Sequence, residues 1–234
     1  EDALALIPLG ESRGVLAIAD GCGGQANGQQ ASRLAITALA ASLAAWEPGQ
    51  GLRAGILDGF ENASRRVRAL GTGAATTLVA VEIDHGILRT FHVGDSQALL
   101  VGSRGKVKLQ TPAHSPVGYA QEAGLLSEKA ALQHEDRHLV SNVIGDNDSH
   151  IALGLPRQLA KRDTLLMGSD GLFDNLRQDE IVQLIRKGPL LQAAQAIQGL
   201  IAQRMSSLSP ESPSKPDDLA LLLYRQTAAG PTSH

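Results

Sequence analysis

Three times along the chain an apolar run meets acidic side chains at its edge. Val15-Leu16-Ala17-Ile18-Ala19 runs into Asp20-Gly21-Cys22-Gly23-Gly24, and Leu165-Leu166-Met167-Gly168 runs into Ser169-Asp170-Gly171. Asp217-Asp218 immediately precedes Leu219, and a fourth acidic pair, Glu1-Asp2, stands just ahead of the first apolar run. A short apolar run bounded by turn residues reads as a buried strand. These carboxylates therefore sit at the rim of a core, where an unpaired charge is costly. Clustered without basic partners they repel one another, and a pair of divalent cations resolves the repulsion. A strand-end aspartate followed by a glycine carbonyl offers hard oxygen ligands that suit Mg²⁺ or Mn²⁺. No His or Cys ligand set accompanies them, which disfavours zinc. Two metals about 3.5–4 Å apart can clamp the attacking and leaving oxygens of a phosphoryl transfer, and a water bridging them is acidified enough to attack near neutral pH. For Asp20 alone, a glycine turn whose carboxylate caps a helix starting near Gly28 is an open alternative.

The elements that must position these groups change character along the chain. Leu4–Leu9 and Gly14–Asp20 read as a hairpin turning at Gly10–Arg13. Gly28–Trp46 and Leu52–Leu70 carry apolar residues at helical spacing, the first stopping at Glu47-Pro48-Gly49. Ala74–Ile83, Ile87–Val93, Gln97–Val101 and Lys106–Leu109 are strand-like, and the turn residues between them predict an antiparallel meander. Thr111 to about Asn147 is mixed, with helical stretches at Val117–Ala123 and Glu128–Gln133. Leu159–Met167 is a strand, Glu180–Lys187 and Leu190–Met205 are helices, Ser206–Pro216 is a loop, and Leu219–Tyr224 is a closing strand. The expected architecture is sheet packed on sheet with helices outside, within one core. The domain is expected to span 1–225, with a flap-like insert at about 112–138 and a disordered tail at 226–234.

The chain has 234 residues, a hydrophobic fraction of 43%, a charged fraction of 19% and a net charge of −3. Its longest basic stretch is Ser64-Arg65-Arg66-Val67-Arg68, read as a solvated helix face, so a nucleic-acid footprint is not expected. No apolar run reaches the roughly eighteen residues needed to span a bilayer. The single Cys22 excludes an internal disulfide and fits a reducing, cytoplasmic setting. The absence of Met at position 1 suggests a fragment or trimmed chain.

With those elements in place, a family resemblance emerges. In order, Glu1-Asp2, Ala19-Asp20-Gly21-Cys22-Gly23-Gly24, Ala75-Thr76-Thr77-Leu78, Val93-Gly94-Asp95-Ser96, Ser169-Asp170-Gly171-Leu172-Phe173-Asp174 and Pro216-Asp217-Asp218 resemble the motifs of the metal-dependent serine/threonine phosphatases, the PP2C or PPM family. Asn27-Gly28 and Ala31-Ser32 resemble its bacterial branch. The resemblance implies an α/β (α+β) fold, a four-layer α-β-β-α sandwich of two mainly antiparallel sheets. It also implies hydrolysis of phosphoserine and phosphothreonine in proteins, with two Mn²⁺ or Mg²⁺ ions at one edge and a water between them. Residue by residue, Asp20 would bridge both metals and Gly21 would lend its carbonyl to one. Asp170 and Asp217 would hold one metal, and Glu1 or Asp2 the other. Asp174, Asp95 and Asp218 would support from behind. A cognate Ser/Thr kinase and a monomeric state go with this reading.

There are departures from the pattern. The family's phosphate-binding arginine would lie upstream of Glu1. Cys22 stands where eukaryotic members have a histidine, and is expected to be a buried, inert thiol. Ala113, in Thr111-Pro112-Ala113-His114-Ser115, replaces an aspartate of a third metal site, so such a site is not expected.

Three rival readings have sequence support. Gly21-x-Gly23-x-x-Ala26 fits a dinucleotide-binding pattern, but a second helix follows where a parallel strand is required, and Asp20 would face the pyrophosphate. His134-Glu135-x-x-His138 matches a zinc-protease pattern, but a β-branched run follows it closely and a polar loop edge is the expected role. His85, His92, His114 and His150 read as scattered turn or surface residues. A non-catalytic phosphoprotein-binding module with the same fold would be expected to lack the metal carboxylates, and here they are present.

Overall fold

The computed structural model describes residues 1–22, 25–47, 49, 51–206 and 213–226. Gly23 and Gly24 of the opening motif, residues 207–212 of the expected loop and the tail from 227 lie outside them. β1 (Ala3–Pro8) and β2 (Arg13–Ala19) form the expected hairpin, with Ala3 opposite Ala19. β3 (Gly21–Cys22) starts one residue after β2 and pairs with β4 (Ala75–Thr76). Helices α1 (Gln25–Ala44) and α2 (Leu52–Arg68) follow β3. β5 (Leu78–Asp84) and β6 (Ile87–Val93) are antiparallel neighbours, as are β7 (Gln97–Val101) and β8 (Val107–Gln110). The insert carries α3 (Pro116–Glu122), α4 (Glu128–Leu132) and a 3-10 turn at Glu135–His138. The chain closes with β9 (Ala152–Leu153), β10 (Arg157–Gln158), β11 (Thr164–Gly168), α5 (Asp170–Phe173), α6 (Gln178–Ile185), α7 (Leu190–Ser206) and β12 (Leu221–Tyr224). None of the described helices is long and apolar enough to cross a membrane.

Strand alternation sorts the side chains into layers. In β7, Ala98 and Leu100 point into the space between two sheets, where they meet Ile18, Val79, Val81, Leu165 and Met167. Their neighbours Leu99 and Val101 point the other way, onto Ile181, Ile185, Ile197 and Ile201 of α6 and α7. In β2, Val15, Ala17 and Ala19 face Ala31, Ala35 and Leu39 of α1 and Phe60 of α2. The two sheets have strand orders β1-β2-β5-β6-β10, with β9 also on β6, and β12-β11-β7-β8. The result is the four-layer α-β-β-α sandwich.

The continuous meander does not form. β6 belongs to one sheet and β7 to the other, so the chain crosses between layers at Gly94-Asp95-Ser96. Gly94 adopts φ 104°, and a Cβ there would lie 2.6 Å from the Thr77 side chain, which is why the crossing needs glycine. The expected strand Ala74–Ile83 is interrupted at Thr77, which releases β4 to pair with β3. Of the expected Leu159–Met167 strand only the part from Thr164 onward forms β11, which extends to Gly168, and α1 begins three residues earlier than its apolar spacing indicates.

Candidate metal centre

Asp20 sits between β2 and β3, and its peptide is fixed by buried hydroxyls. Its N–H donates to Thr77 Oγ1 at 3.0 Å, while its carbonyl accepts from the Thr77 N–H at 2.8 Å and from Thr76 Oγ1 at 2.7 Å. Thr77 Oγ1 and Ser96 Oγ are 2.7 Å apart, so the crossing turn braces the same point. The break between β4 and β5 thus has a purpose: it turns two adjacent threonine hydroxyls toward Asp20.

On one side of Asp20 lies a close backbone approach. A Cβ on Gly28 would stand 2.7 Å from the Gly21 carbonyl oxygen and on top of the Glu1 carboxylate. Glu1 and the Gly21 carbonyl therefore converge where α1 passes β3. Ser32 Oγ donates to the Glu1 carbonyl at 2.5 Å and holds that end in place. Asp2 Oδ2 accepts from Ser169 Oγ at 2.7 Å, while its Oδ1 is buried with no protein partner. An orphaned, buried carboxylate oxygen of this kind fits a cation site.

On the other side, Asp170 opens α5 directly after β11 and lies within hydrogen-bonding reach of Asp20. Burial raises the Asp20 carboxyl pKa to about 10, with further contributions from the charges of Asp170, Asp2 and Asp95. Asp95 is buried, and burial and the Asp170 and Asp174 carboxylates push its pKa up to about 7. Asp174 is pushed to about 6, again chiefly by burial. Asp2 and Asp217 are raised too, burial leading in both. Such mutual elevation marks an excess of negative charge that a bound cation would relieve.

Lys215 brings a side-chain cation into the cluster. Lys215 Nζ contacts Asp170 and lies 3.2 Å from the nearer oxygens of Asp174 and Asp217, though without hydrogen-bond geometry toward Asp174. With that ammonium among them the carboxylates are gathered without being closed. Among the described residues no three His, Cys, Asp or Glu side chains form a ready cage. Asp218 pairs with the amino group of Glu1, and its N–H donates to Asp217 Oδ1 at 2.9 Å.

Beside Asp95, Asp170 and Asp174 opens a cleft of about 310 Å³, roofed by the insert through Val117, Leu132 and Arg137. The carboxylate donors therefore lie at one sandwich edge, with an open cleft beside them.

Comparison with known proteins agrees with this geometry. The family model described as Protein phosphatase 2C matches residues 1–220. The chain belongs to the protein phosphatase 2C family. It is similar to protein phosphatase PhpP of Streptococcus pneumoniae, with 29% identity over 184 residues, 74% of this chain and 73% of that protein. It is also similar to the serine/threonine protein phosphatase PstP of Mycobacterium tuberculosis, with 31% identity over 179 residues. That match covers 74% of this chain but only 34% of PstP's length. The solved S. agalactiae serine/threonine phosphatase superposes with a TM-score of 0.80 at 27% identity, covering 96% of this chain and 93% of that one. The PstP catalytic domain, solved in complex with two manganese ions, gives 0.66 at 25% identity, covering 87% and 91%.

Within the protein phosphatase 2C framework, Asp20, Gly21, Asp170, Asp217, Glu1 and Asp2 border one edge of the sandwich, with Asp95 and Asp174 behind them. The sequence reading missed Thr76, Thr77, Ser96 and Ser169 as orienting groups, and missed Lys215. It also missed Asn175, which is fully buried and donates to the Gly171 and Lys215 carbonyls at 2.9 and 2.8 Å. The zinc-protease pattern lies on the 3-10 turn, where His134 Nδ1 accepts from the Asp136 N–H and His138 Nδ1 bonds to the Glu135 carbonyl. It does not present two imidazoles on one α-helical face.

The reading of the histidines as scattered singles is wrong for three of them. His92 and His114 are each 3% exposed and stack with ring centroids 4.3 Å apart, and His150 lies 5.2 Å from His114. They come together because the insert leaves and rejoins the sheet at one place. Cys22 is half-buried, not fully buried as expected; burial, then the carboxylates of Asp20, Asp95, Asp170 and Glu1, push its thiol up to about 12.

Proposed function

We propose that this chain is a metal-dependent protein phosphatase that hydrolyses phosphoserine and phosphothreonine in protein substrates. Asp20 would serve both of two Mn²⁺ or Mg²⁺ ions, the Gly21 carbonyl and Glu1 or Asp2 would serve one, and Asp170 and Asp217 would serve the other. When bound, the ions supply Lewis acidity toward the phosphoryl oxygens and a hydrolytic water acidic enough to attack near neutral pH. The chain's own residues do the positioning. Thr76, Thr77 and Ser96 fix Asp20, Ser169 turns Asp2, and Asp95 and Asp174 add negative charge from a buried layer behind the ligands. The cleft beside Asp170 takes the polypeptide that carries the phosphate, and the roof from the insert limits which sequences enter. A monomer acting in the cytoplasm opposite a Ser/Thr kinase belongs to the same proposal.

The observation that carries this reading is the convergence of acidic groups from positions 1–2, 20, 95, 170–174 and 217 at one sandwich edge, where burial and neighbouring carboxylates raise the pKa values of Asp2, Asp20, Asp95, Asp174 and Asp217. The test is hydrolysis of a phosphothreonine peptide and of p-nitrophenyl phosphate with millimolar Mn²⁺, with and without EDTA. Asp170→Asn should remove most turnover and keep the melting curve cooperative, because it deletes a ligand charge at an edge and no core packing. Near-normal turnover in that variant would refute the assignment. Phosphopeptide binding without turnover under any metal would favour the binding module.

A further inference from the structure

Lys215 is placed too firmly to be a wandering surface lysine. Its N–H donates to Asn175 Oδ1 at 2.8 Å, and its carbonyl accepts from Asn175 Nδ2 at 2.8 Å, so a buried amide clamps the backbone on both sides. One residue earlier, the Ser214 carbonyl accepts from Arg137 of the insert at 2.9 Å. Asn175 is anchored in turn, since its carbonyl accepts from the buried Arg204, which also pairs with Glu180. From this base the Lys215 side chain, 20% exposed, reaches back and puts its ammonium among Asp170, Asp174 and Asp217. Two of those three are proposed ligands of the same metal ion.

We propose that Lys215 is a tethered competitor cation. Its ammonium holds the Asp170–Asp217 half of the centre in the metal-free protein and must be displaced before a divalent ion occupies that half. This inference rests on the metal-dependent reading of the site. A tethered monovalent charge satisfies only part of a cluster that includes Asp2, Asp20, Asp95, Asp170, Asp174 and Asp217, so divalent ions still win when they are abundant. The ammonium holds the apo carboxylates together against their own repulsion, and for the same reason it weakens metal affinity at that half. Binding and release are linked, so the enzyme loads only above a threshold of free Mn²⁺ or Mg²⁺ that Lys215 sets. The Gly21–Glu1 half, which Lys215 does not touch, loads without that competition.

The test compares EDTA-stripped wild type, Lys215→Met and Lys215→Gln by calorimetric Mn²⁺ titration and by thermal melting with and without Mn²⁺. Met keeps the apolar stem and Gln keeps a polar tip, so one variant remains informative if the other folds poorly. The expected result is about tenfold tighter Mn²⁺ binding at one of two sites in the variants, equivalent to about 1.4 kcal/mol. A lower melting temperature without metal should accompany it, recovering to the wild-type value or above with metal. Wild-type binding that Asp170→Asn abolishes, combined with unchanged or weaker affinity in both Lys215 variants, would overturn the competitor role and leave the phosphatase reading standing. Absence of any Asp170-dependent Mn²⁺ binding would overturn the phosphatase reading, and this inference with it.

Discussion

Acid should loosen this protein through its buried histidines, and the size of the effect can be worked out. Asn142 fixes the tautomer of His114. Its Oδ1 accepts from the His150 N–H at 3.1 Å and its Nδ2 donates to the His150 carbonyl at 2.7 Å, which settles the orientation of the amide. The same Nδ2 is 2.8 Å from His114 Nδ1, which also accepts from the Gly94 N–H at 3.1 Å. His114 Nδ1 is therefore a bare lone pair serving two donors. His92 Nε2 is 2.9 Å from the Pro112 carbonyl and must donate to it, which leaves Nδ1 as the unprotonated nitrogen, buried and without a partner. A second proton on either ring would break an accepted bond or strand a buried charged donor. Burial accordingly lowers both pKa values to about 4, with the neighbouring imidazoles adding to the shift.

A histidine whose folded pKa is depressed favours the native state most at high pH. As pH falls below the unfolded value of 6.5 the unfolded chain takes up protons that the folded chain refuses, and stability drains away until about pH 4. Between pH 7.5 and 5, pKa values of about 4 and 6.5 give a loss of about 2 kcal/mol per imidazole. For a chain of this size that is about 4–8 °C in melting temperature. The carboxylate cluster also titrates in this range, with the opposite sign, so the test must be a difference. Wild type and His114→Asn are unfolded with urea in EDTA at pH 7.5, 6 and 5. Asn keeps an acceptor near the Nδ1 position and does not titrate, while the carboxylates are common to both proteins. The stability advantage of wild type at pH 7.5 should shrink by about 2 kcal/mol at pH 5. A gap that stays constant across that range would refute the account of the stack.

Two further outcomes follow from single positions. Gly28→Ala forces α1 away from Gly21 and Glu1, so it should cost about 1–3 kcal/mol and weaken Mn²⁺ binding, both read from melting curves with and without metal. Cys22 should react with iodoacetamide in EDTA at pH 8 far more slowly in the native protein than in urea, since partial burial and four carboxylates oppose its thiolate; equal rates would contradict that environment.

Asp20, Asp170 and Asp217 could be singled out as candidates because each lies at the border of an apolar run, and a charge there stands out against its neighbours whatever the tertiary fold. The hairpin β1–β2 and helices α1 and α2 were legible for a similar reason, since their signals are local. The crossing at Gly94 was not. A glycine-aspartate turn between two strand-like runs looks the same whether the second strand returns to its neighbour or departs for another sheet, and only packing decides. The histidine stack joins residues 92, 114 and 150, too far apart in sequence for any periodicity to register. Lys215 lay in a proline- and serine-rich stretch whose composition says loop and says nothing of where an ammonium lands. Asn175 was hidden by size: a buried amide leaves no pattern until its partners are known.

The two sets of groups that sequence missed are joined by the turn that it misread. Gly94 exchanges two hydrogen bonds with His114, its N–H donating to Nδ1 and its carbonyl accepting from the His114 N–H at 3.1 Å. Asp95 stands among the carboxylates, and Ser96 meets the Thr77 hydroxyl that receives the Asp20 N–H. Three consecutive residues therefore link the base of the insert, the buried acidic layer and the peptide of the central aspartate. Loops ordinarily move independently of the scaffold they decorate, but this one is tied into it at its root. A continuous set of contacts thus runs from His114 through Gly94 and, by way of Ser96 and Thr77, to Asp20, joining the base of the insert to the candidate metal centre. That connection follows from the crossing, because Gly94, Asp95 and Ser96 are the residues that carry the chain from one sheet to the other.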